Sequence, residues 1–398
     1  MTTPVLPPRL PISPRARATR SRAAWLLGLA LCGLLAALAA RAVLVRQMRL
    51  PRLTLDQGGN VTSVAITPDG KTAFSGDDPT RDALHLRGNK PADVFVWDTS
   101  SGRLVRRLHG FYWRSEGVTA SPDGAAVLAC GYIRRDSPEF GSPGYMPENV
   151  VAYDWHTSRM LWAVEGDKPL CYAPDGRLVG IGSDIHAGAT GAPIRETHKR
   201  YSDDAQTAFS PDGRFFGFIG AGTLNKKGFT DSDNGDKVYY STIRLHLLHT
   251  EDGTEAYNFP FIRVRAFDIS RDNKWLAMTS DAGVMTNGED GSIVRRVDIK
   301  TGAAVWTRER GMNAPDNDAD SILNSVAISP DEKHVVVQSI DDQIIVLDAQ
   351  TGHEEFRTLL ARSGGGWSYP GGLAFSADGK TLISRFGGKV LVWDASSL

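Results

Sequence analysis

After residue 60 the apolar positions fall in short runs, each stopped by nearly the same polar phrase. Val64-Ala65-Ile66 runs into Thr67-Pro68-Asp69-Gly70, and the phrase returns as Ser121-Pro122-Asp123-Gly124 and Ala173-Pro174-Asp175-Gly176. It recurs as Ser210-Pro211-Asp212-Gly213, Ser270-Arg271-Asp272-Asn273, Ser329-Pro330-Asp331-Glu332 and Ser376-Ala377-Asp378-Gly379. A second apolar run follows the turn, as in Thr72-Ala73-Phe74-Ser75 or Ala126-Val127-Leu128-Ala129. A third ends in aspartate: Val94-Phe95-Val96-Trp97-Asp98, Val151-Ala152-Tyr153-Asp154, Ile345-Val346-Leu347-Asp348 and Leu391-Val392-Trp393-Asp394. A polar turn such as Thr301-Gly302 then leads to a fourth run, as at Met160-Leu161-Trp162. Short apolar runs bounded by turn residues read as strands, so each copy predicts four of them.

Seven copies at a spacing of roughly 40–60 residues have the period of propeller blades. A four-stranded sheet cannot bury both faces alone, so neighbouring copies must stack, and closing the stack into a ring protects most strand edges. The pattern therefore predicts an all-β, seven-bladed β-propeller over residues 50–398, with the third copy its weakest member. The last copy stops at its third strand. A spare strand, Arg52-Leu53-Thr54-Leu55, precedes the first copy, and pairing of residues 52–55 with the last blade is expected to close the ring.

The phrase, with Trp97-Asp98 and Trp393-Asp394, resembles the WD40 repeat and the related YVTN-type propellers over about residues 50–398. The Gly-His pair that WD40 repeats carry before the first strand is missing, since Gly352-His353 falls in a later turn. The resemblance implies a protein-interaction scaffold or binding module, and fold alone does not fix function. Asp298 through Thr301-Gly302 to Trp306, and Asp154 to Trp162, resemble the docking repeat of quinoprotein dehydrogenases. In that family such tryptophans stabilise blade stacking. Two copies fit in a short chain, so no quinone cofactor is expected.

The first fifty residues follow another pattern. Residues 1–22 are rich in Pro, Thr, Ser and Arg and read as a disordered tail. Residues 23–45 are apolar apart from Arg41, and their uncharged run of about 18 residues nearly covers a bilayer core. A retained single-pass anchor is preferred over a cleaved signal, whose usual apolar core is shorter. A short tail, one span and a large following domain place the propeller outside the cytoplasm. The turns after first and third strands share one face, and the anchor ends near Arg52. That turn face is therefore expected to sit against the membrane, with the long excursions at 77–93, 132–149, 222–241 and 281–292 pointing away.

Composition narrows the field further. The net charge is -1, and 41 Gly with 21 Pro suit a turn-rich β protein. No basic stripe outside the first fifty residues offers a nucleic-acid surface. Cys32, Cys130 and Cys171 read as buried small apolar residues, a Cys130–Cys171 disulfide being the alternative.

Candidate chemistry is sparse. Exposed loops on a rigid scaffold are where binding concentrates, and Tyr112, Trp113, Trp367 and Tyr369, assigned to loops between blades on the long-loop face, form the candidate contact surface for an unknown protein partner. Gly366-Trp367-Ser368-Tyr369-Pro370-Gly371-Gly372 resembles the nucleophile elbow of prolyl-oligopeptidase-type hydrolases. The elbow needs glycine two residues after the serine and a helix beyond it. Pro370 and a strand stand there instead. Asp316, Asp318 and Asp320 could offer oxygens to Ca2+, but a calcium loop wants a glycine sixth and a glutamate twelfth, where this chain has Ser321 and Ala327. A solvated acidic loop is preferred there and at Asp231, Asp233 and Asp236. His246 and His249, three apart on a strand, point to opposite faces. No catalytic motif survives, so a non-enzymatic binder is expected. The alternative is a lactonase-like or other metal-assisted hydrolase.

Overall fold

The computed structural model describes residues 50–78, 91–133, 148–166, 168, 170–197, 206–224, 229–230, 237–238, 241–259, 261, 263–281, 292–310, 322–340, 342–358, 371–396 and 398. They form seven four-stranded antiparallel sheets arranged as the blades of a propeller. Blade 1 holds Asn60–Ile66, Thr72–Asp78, Pro91–Asp98 and the first part of Leu104–Ala120. That 17-residue strand bends through two bulges near Ser115 and becomes the first strand of blade 2. Blade 2 continues with Ala126–Ile133, Glu148–Asp154 and Arg159–Glu165, making one seven-stranded sheet of both blades. Blade 3, the weakest repeat in the sequence, is nonetheless complete: Leu170–Tyr172, Leu178–Ile181, Asp184–Ala187 and Pro193–Arg195.

Blade 4 contains Thr207–Phe209, Phe215–Leu224, Ser241–His249 and Glu255–Asn258, with a small extra hairpin of Phe229–Thr230 and Lys237–Val238. Blade 5 is Val264–Ile269, Trp275–Asp281, Ser292–Asp298 and Ala304–Arg310. Blade 6 is Leu323–Ile328, His334–Ser339, Ile344–Asp348 and Glu354–Arg357. Blade 7 takes Leu373–Phe375, Thr381–Phe386 and Lys389–Asp394 from the end of the chain and Leu53–Asp56 from near its beginning. Leu53 pairs with Val392 and Leu55 with Val390. The seam is tied further by Val64 N–H donating to Gly371 O (3.1 Å) and by the Arg385 guanidinium donating to Thr62 O (3.0 Å).

The repeated phrase has a physical task. In copy two, Ser121 Oγ donates to Asp123 Oδ1 (2.5 Å), and that carboxylate accepts the Ala125 N–H (3.0 Å). Gly124 stands at φ 71°, the left-handed region glycine occupies without strain. Copies five and six put Asn273 and Glu332 there, at φ 58° and 61°. The aspartate closing each third strand caps the second turn. Asp98 accepts the N–H groups of Ser100 (3.0 Å) and Ser101 (2.7 Å), and Asp348 does the same for Gln350 (3.1 Å) and Thr351 (2.7 Å). Hydrogen bonds led by the Ser100 hydroxyl hold the Asp98 carboxyl down at about 2. The Thr99 hydroxyl and N–H donate to Gly70 O and Lys71 O (2.5 and 2.9 Å), so both turns of blade 1 lie on one face.

Apolar side chains pack between neighbouring blades. Leu55, Val61, Val64, Phe95, Trp97, Val390 and Val392 fill the seam between blades 7 and 1. Tryptophans of the outer strands reach across seams: Trp162 Nε1 donates to Gly188 O (3.0 Å) and Trp306 Nε1 to Ala349 O (2.9 Å). Both are the tryptophans of the quinoprotein-like stretches, and each joins its blade to the next. In blades 1 to 6 the fourth strand carries a one-residue bulge near its start, at Val105, Leu161, Ile194, Ala256, Val305 and Glu355. Such bulges disrupt an exposed edge and re-aim a side chain.

Cys130 and Cys171 are free thiols, and burial pushes the Cys171 thiol up to about 12. Among the described residues no helix is long and apolar enough to cross a membrane. The tail at 1–22 and the expected anchor at 23–45 lie outside the described residues.

Candidate functional site

The two faces of the ring differ in their connections. On the turn face, every first-to-second and third-to-fourth strand connection is a tight turn. The strands flanking 79–90, 134–147, 225–240, 282–291, 311–321 and 359–370 all end on the opposite face. That long-loop face is underlain by buried polar groups.

In blade 1 a chain of bonds crosses the sheet. Trp97 Nε1 donates to Ser75 Oγ (3.0 Å), Ser75 Oγ to Gln57 Oε1 (2.6 Å), and Gln57 Nε2 to Asp77 Oδ1 (3.1 Å). Gln57 stands shortly before the first strand, where WD40 repeats have their Gly-His pair. Asp77, Asp78 and Asp93 are all buried there, and Asp93 bonds His109 Nδ1 at 2.8 Å. Burial, aided by the charges of Asp93 and Asp78, raises the Asp77 carboxyl to about 6 against the opposing bond from Gln57.

Between blades 2 and 3, Glu116 is 2% exposed. Its carboxylate meets Lys168 Nζ at 2.6 Å and also contacts the Arg114 guanidinium. Between blades 6 and 7, Asp342 accepts the Gly387 N–H (2.7 Å) and faces Arg385 Nε at 3.8 Å. These carboxylates pin the strand ends from which the long connections leave.

The ring axis supplies a second place of interest. A cavity of about 480 Å3 opens among the inner strands and turns of blades 4 to 7 and is lined by Gln206, Asp268, Arg271, Ile328 and Ala374, among others. One residue before the end of its inner strand, each copy in turn carries Ala65, Thr119, Cys171, Ala208, Asp268, Ala327 and Ala374. Asp268 is thus the charged member of an otherwise small, uncharged ring. Its Oδ2 accepts the Ile328 N–H of the next blade (2.7 Å) and its Oδ1 the N–H of Ile269 (2.9 Å). Its surface is partly open, but only to the cavity. Burial lifts its carboxyl to about 6 against these two bonds. Gln206 makes a similar stitch, its Oε1 accepting the Phe267 N–H (3.1 Å).

Tyr112 and Trp113 were expected in a loop. Their backbone lies instead within the strand Leu104–Ala120, where blade 1 passes into blade 2. The reason is that blade 1's last strand runs on into blade 2's first strand, with bulges in place of a connecting loop. Their side chains lie outside the described part, as do Trp367, Ser368 and Tyr369, the triplet Asp316, Asp318 and Asp320, and Asp231, Asp233 and Asp236. Among the described residues no group of three His, Cys, Asp or Glu side chains is placed to share a metal ion. His246 bonds Glu255 (3.0 Å) and stacks on Phe218, while His249 lies against Phe215. The pair is therefore divided between the two faces of its sheet. Reading the chain by motif passes over Gln57, Asp77, Glu116 and Asp268. Only Asp268 had a signal, visible by aligning the seven copies.

Residues 289–389 match the family model described as outer membrane protein assembly factor BamB. The match covers about a quarter of the chain, from just before the third strand of blade 5 to the start of the third strand of blade 7, and includes Asp298, Thr301, Gly302 and Trp306. No curated protein matches the chain. Fold and match together support a seven-bladed β-propeller built from a repeat of this propeller-forming kind.

Proposed function

We propose that the chain is a membrane-tethered, WD40-like propeller that binds a protein partner through its long-loop face and serves as a scaffold in the cell envelope. The observation that carries this reading is the asymmetry of the ring: tight turns on one face, and every long connection between strand ends on the other. A rigid, closed scaffold presenting loops on one side is suited to recognition. The partial match to an outer membrane assembly factor supports an assembly role, and the apolar segment 23–45 supports a single-pass tether with the propeller outside the cytoplasm. Tyr112 and Trp113, at the junction of blades 1 and 2, are the proposed anchors of the contact, because buried aromatics dominate many interfaces.

Chemical crosslinking in intact membranes tests it. A discrete protein adduct is expected, weakened at least ten-fold by Tyr112→Ala with Trp113→Ala, since losing such anchors typically costs about 2 kcal/mol or more. An adduct indifferent to both changes refutes the proposed contact.

One observation favours a second reading, a metal-assisted hydrolase: the Asp268 carboxylate stands in the axial cavity. Metal analysis after exposure to Ca2+ or Zn2+ separates the two. A tightly held ion lost in Asp268→Asn supports the enzyme, and equal uptake by both proteins removes its basis.

A further inference from the structure

The bulge in the outer strand is a repeated device, but its occupant differs around the ring. Blades 4 and 6 place Ala256 and Glu355 there. Blades 1, 2 and 3, which are consecutive, place Val105, Leu161 and Ile194, exposed by 50%, 43% and 54%. Met160 beside Leu161 is exposed by 57%. Single exposed apolar residues are ordinary. A run of them on adjacent blades, each thrust outward by the same backbone irregularity, is not. Val305 of blade 5 is the isolated case, because Ala256 and Glu355 flank it.

All these residues lie near the starts of fourth strands and therefore at the rim of the turn face. Blades 1 and 2 are joined along it by the Arg106 guanidinium, which donates to Ser158 Oγ (3.1 Å). The rim is basic. Arg103, Arg107 and Arg159 are exposed beside the apolar side chains, and no acidic residue interrupts Leu104 to Leu108 or Arg159 to Val164. The neighbouring Asp98 and Asp154 are engaged as turn caps. By contrast, blade 6 presents Glu354 and Glu355 at the same place.

The chain reaches the ring at this sector. Arg52 N–H donates to Val392 O (2.7 Å), and its guanidinium to Thr99 O in the blade 1 turn (3.1 Å). Leu50, just before it, is 67% exposed. Only residues 46–49 separate Leu50 from the apolar segment 23–45. Five steps of extended chain reach at most about 18 Å.

We propose that the turn-face rim of blades 1 to 3 rests on an anionic lipid surface, with Val105, Met160, Leu161 and Ile194 entering the headgroup layer and Arg103, Arg107 and Arg159 meeting lipid phosphates. The inference rests on the tether reading and adds to it the sector of the ring that meets the bilayer. Interfacial binding of this kind combines buried apolar area with attraction of basic residues to anionic lipid.

The test uses the full chain in vesicles of phosphatidylethanolamine and phosphatidylglycerol. Met160, Val105 and, across the ring, Val305 are replaced in turn by the photocrosslinker p-benzoylphenylalanine. Lipid adducts are expected from positions 105 and 160 and not from 305. Arg103→Gln with Arg159→Gln is expected to reduce them several-fold, because each basic residue near the surface contributes about five-fold. Vesicles of phosphatidylcholine alone should reduce them similarly. Adducts absent at 105 and 160, or equal at 305, overturn the inference while leaving the tether intact. Adducts to protein at 105 and 160 in native membranes, with none to lipid in vesicles, assign the rim to a protein partner and overturn it too. Release of the chain by alkaline carbonate overturns the tether reading and the inference together.

Discussion

Leu55→Ala examines whether ring closure holds the fold. Leu55 lies in the strand donated from near the beginning of the chain, pairs with Val390, and is 1% exposed among Val61, Val64, Val390 and Val392. Truncation removes about three methyl or methylene groups, worth roughly 2.4 kcal/mol at ~0.8 kcal/mol each. A partly relaxed cavity brings the loss to about 3 kcal/mol. The compact unit spans Arg49–Leu398. At about 2.1 cal/mol/K per residue its unfolding entropy is near 0.7 kcal/mol/K, so Tm should fall by about 4 °C. Thr54→Ala, on the exposed side of the same strand, is the control and should change stability by less than about 0.5 kcal/mol. Thermal unfolding followed by far-UV circular dichroism and tryptophan fluorescence reads both variants. If Leu55→Ala melts within a degree of Thr54→Ala, the donated strand does not carry the closure, and the reasoning from the blade 7 seam is wrong.

Trp306→Phe keeps an aromatic ring but leaves Ala349 O without its indole donor, and a loss of about 1 kcal/mol is expected in urea unfolding. Gly352→Ala should cost more, because φ is 69° and the new Cβ would sit 2.8 Å from the Trp306 ring. Equal stability of the two would refute the docking role of that seam. The raised Asp268 carboxyl predicts a pH effect of definite sign. Its folded value, about 6, lies above the ordinary 3.8, so its contribution is fully present below pH 4 and is lost as pH rises through 6. Asp268→Asn should therefore gain Tm relative to the parent chain between pH 4 and 7, and a constant difference across that range counts against the buried carboxylate. The turn-capping aspartates have the opposite sign: Asp98, held down at about 2, contributes above pH 4, and that contribution is lost as pH falls through 2. Asp98→Ala should therefore lose its penalty in Tm at the acid end.

The local repeat was fully legible because its signals are short-range. Proline and glycine set turn geometry, serine and aspartate close bonds two residues apart, and alternating apolar runs make strands whatever lies beyond. Those features determined the strand order, the number of blades and the character of each turn. Even the weakest copy, with strands of three and four residues, folds as a blade because its neighbours bury its faces. Other features arose only when distant segments met. The strand through Tyr112 and Trp113 is continuous because two adjacent blades share it. Gln57 receives Ser75 from a strand eighteen residues away, and Glu116 meets Lys168 across a blade seam. Asp268 acquires its raised carboxyl from the closed ring that surrounds it. The outward thrust of Val105, Leu161 and Ile194 depends on bulges whose register is set by pairing with third strands. Sequence determines what each residue can bond nearby. Burial, charge coupling and exposure are properties of the ring, because they depend on which remote side chains exclude water from the same place.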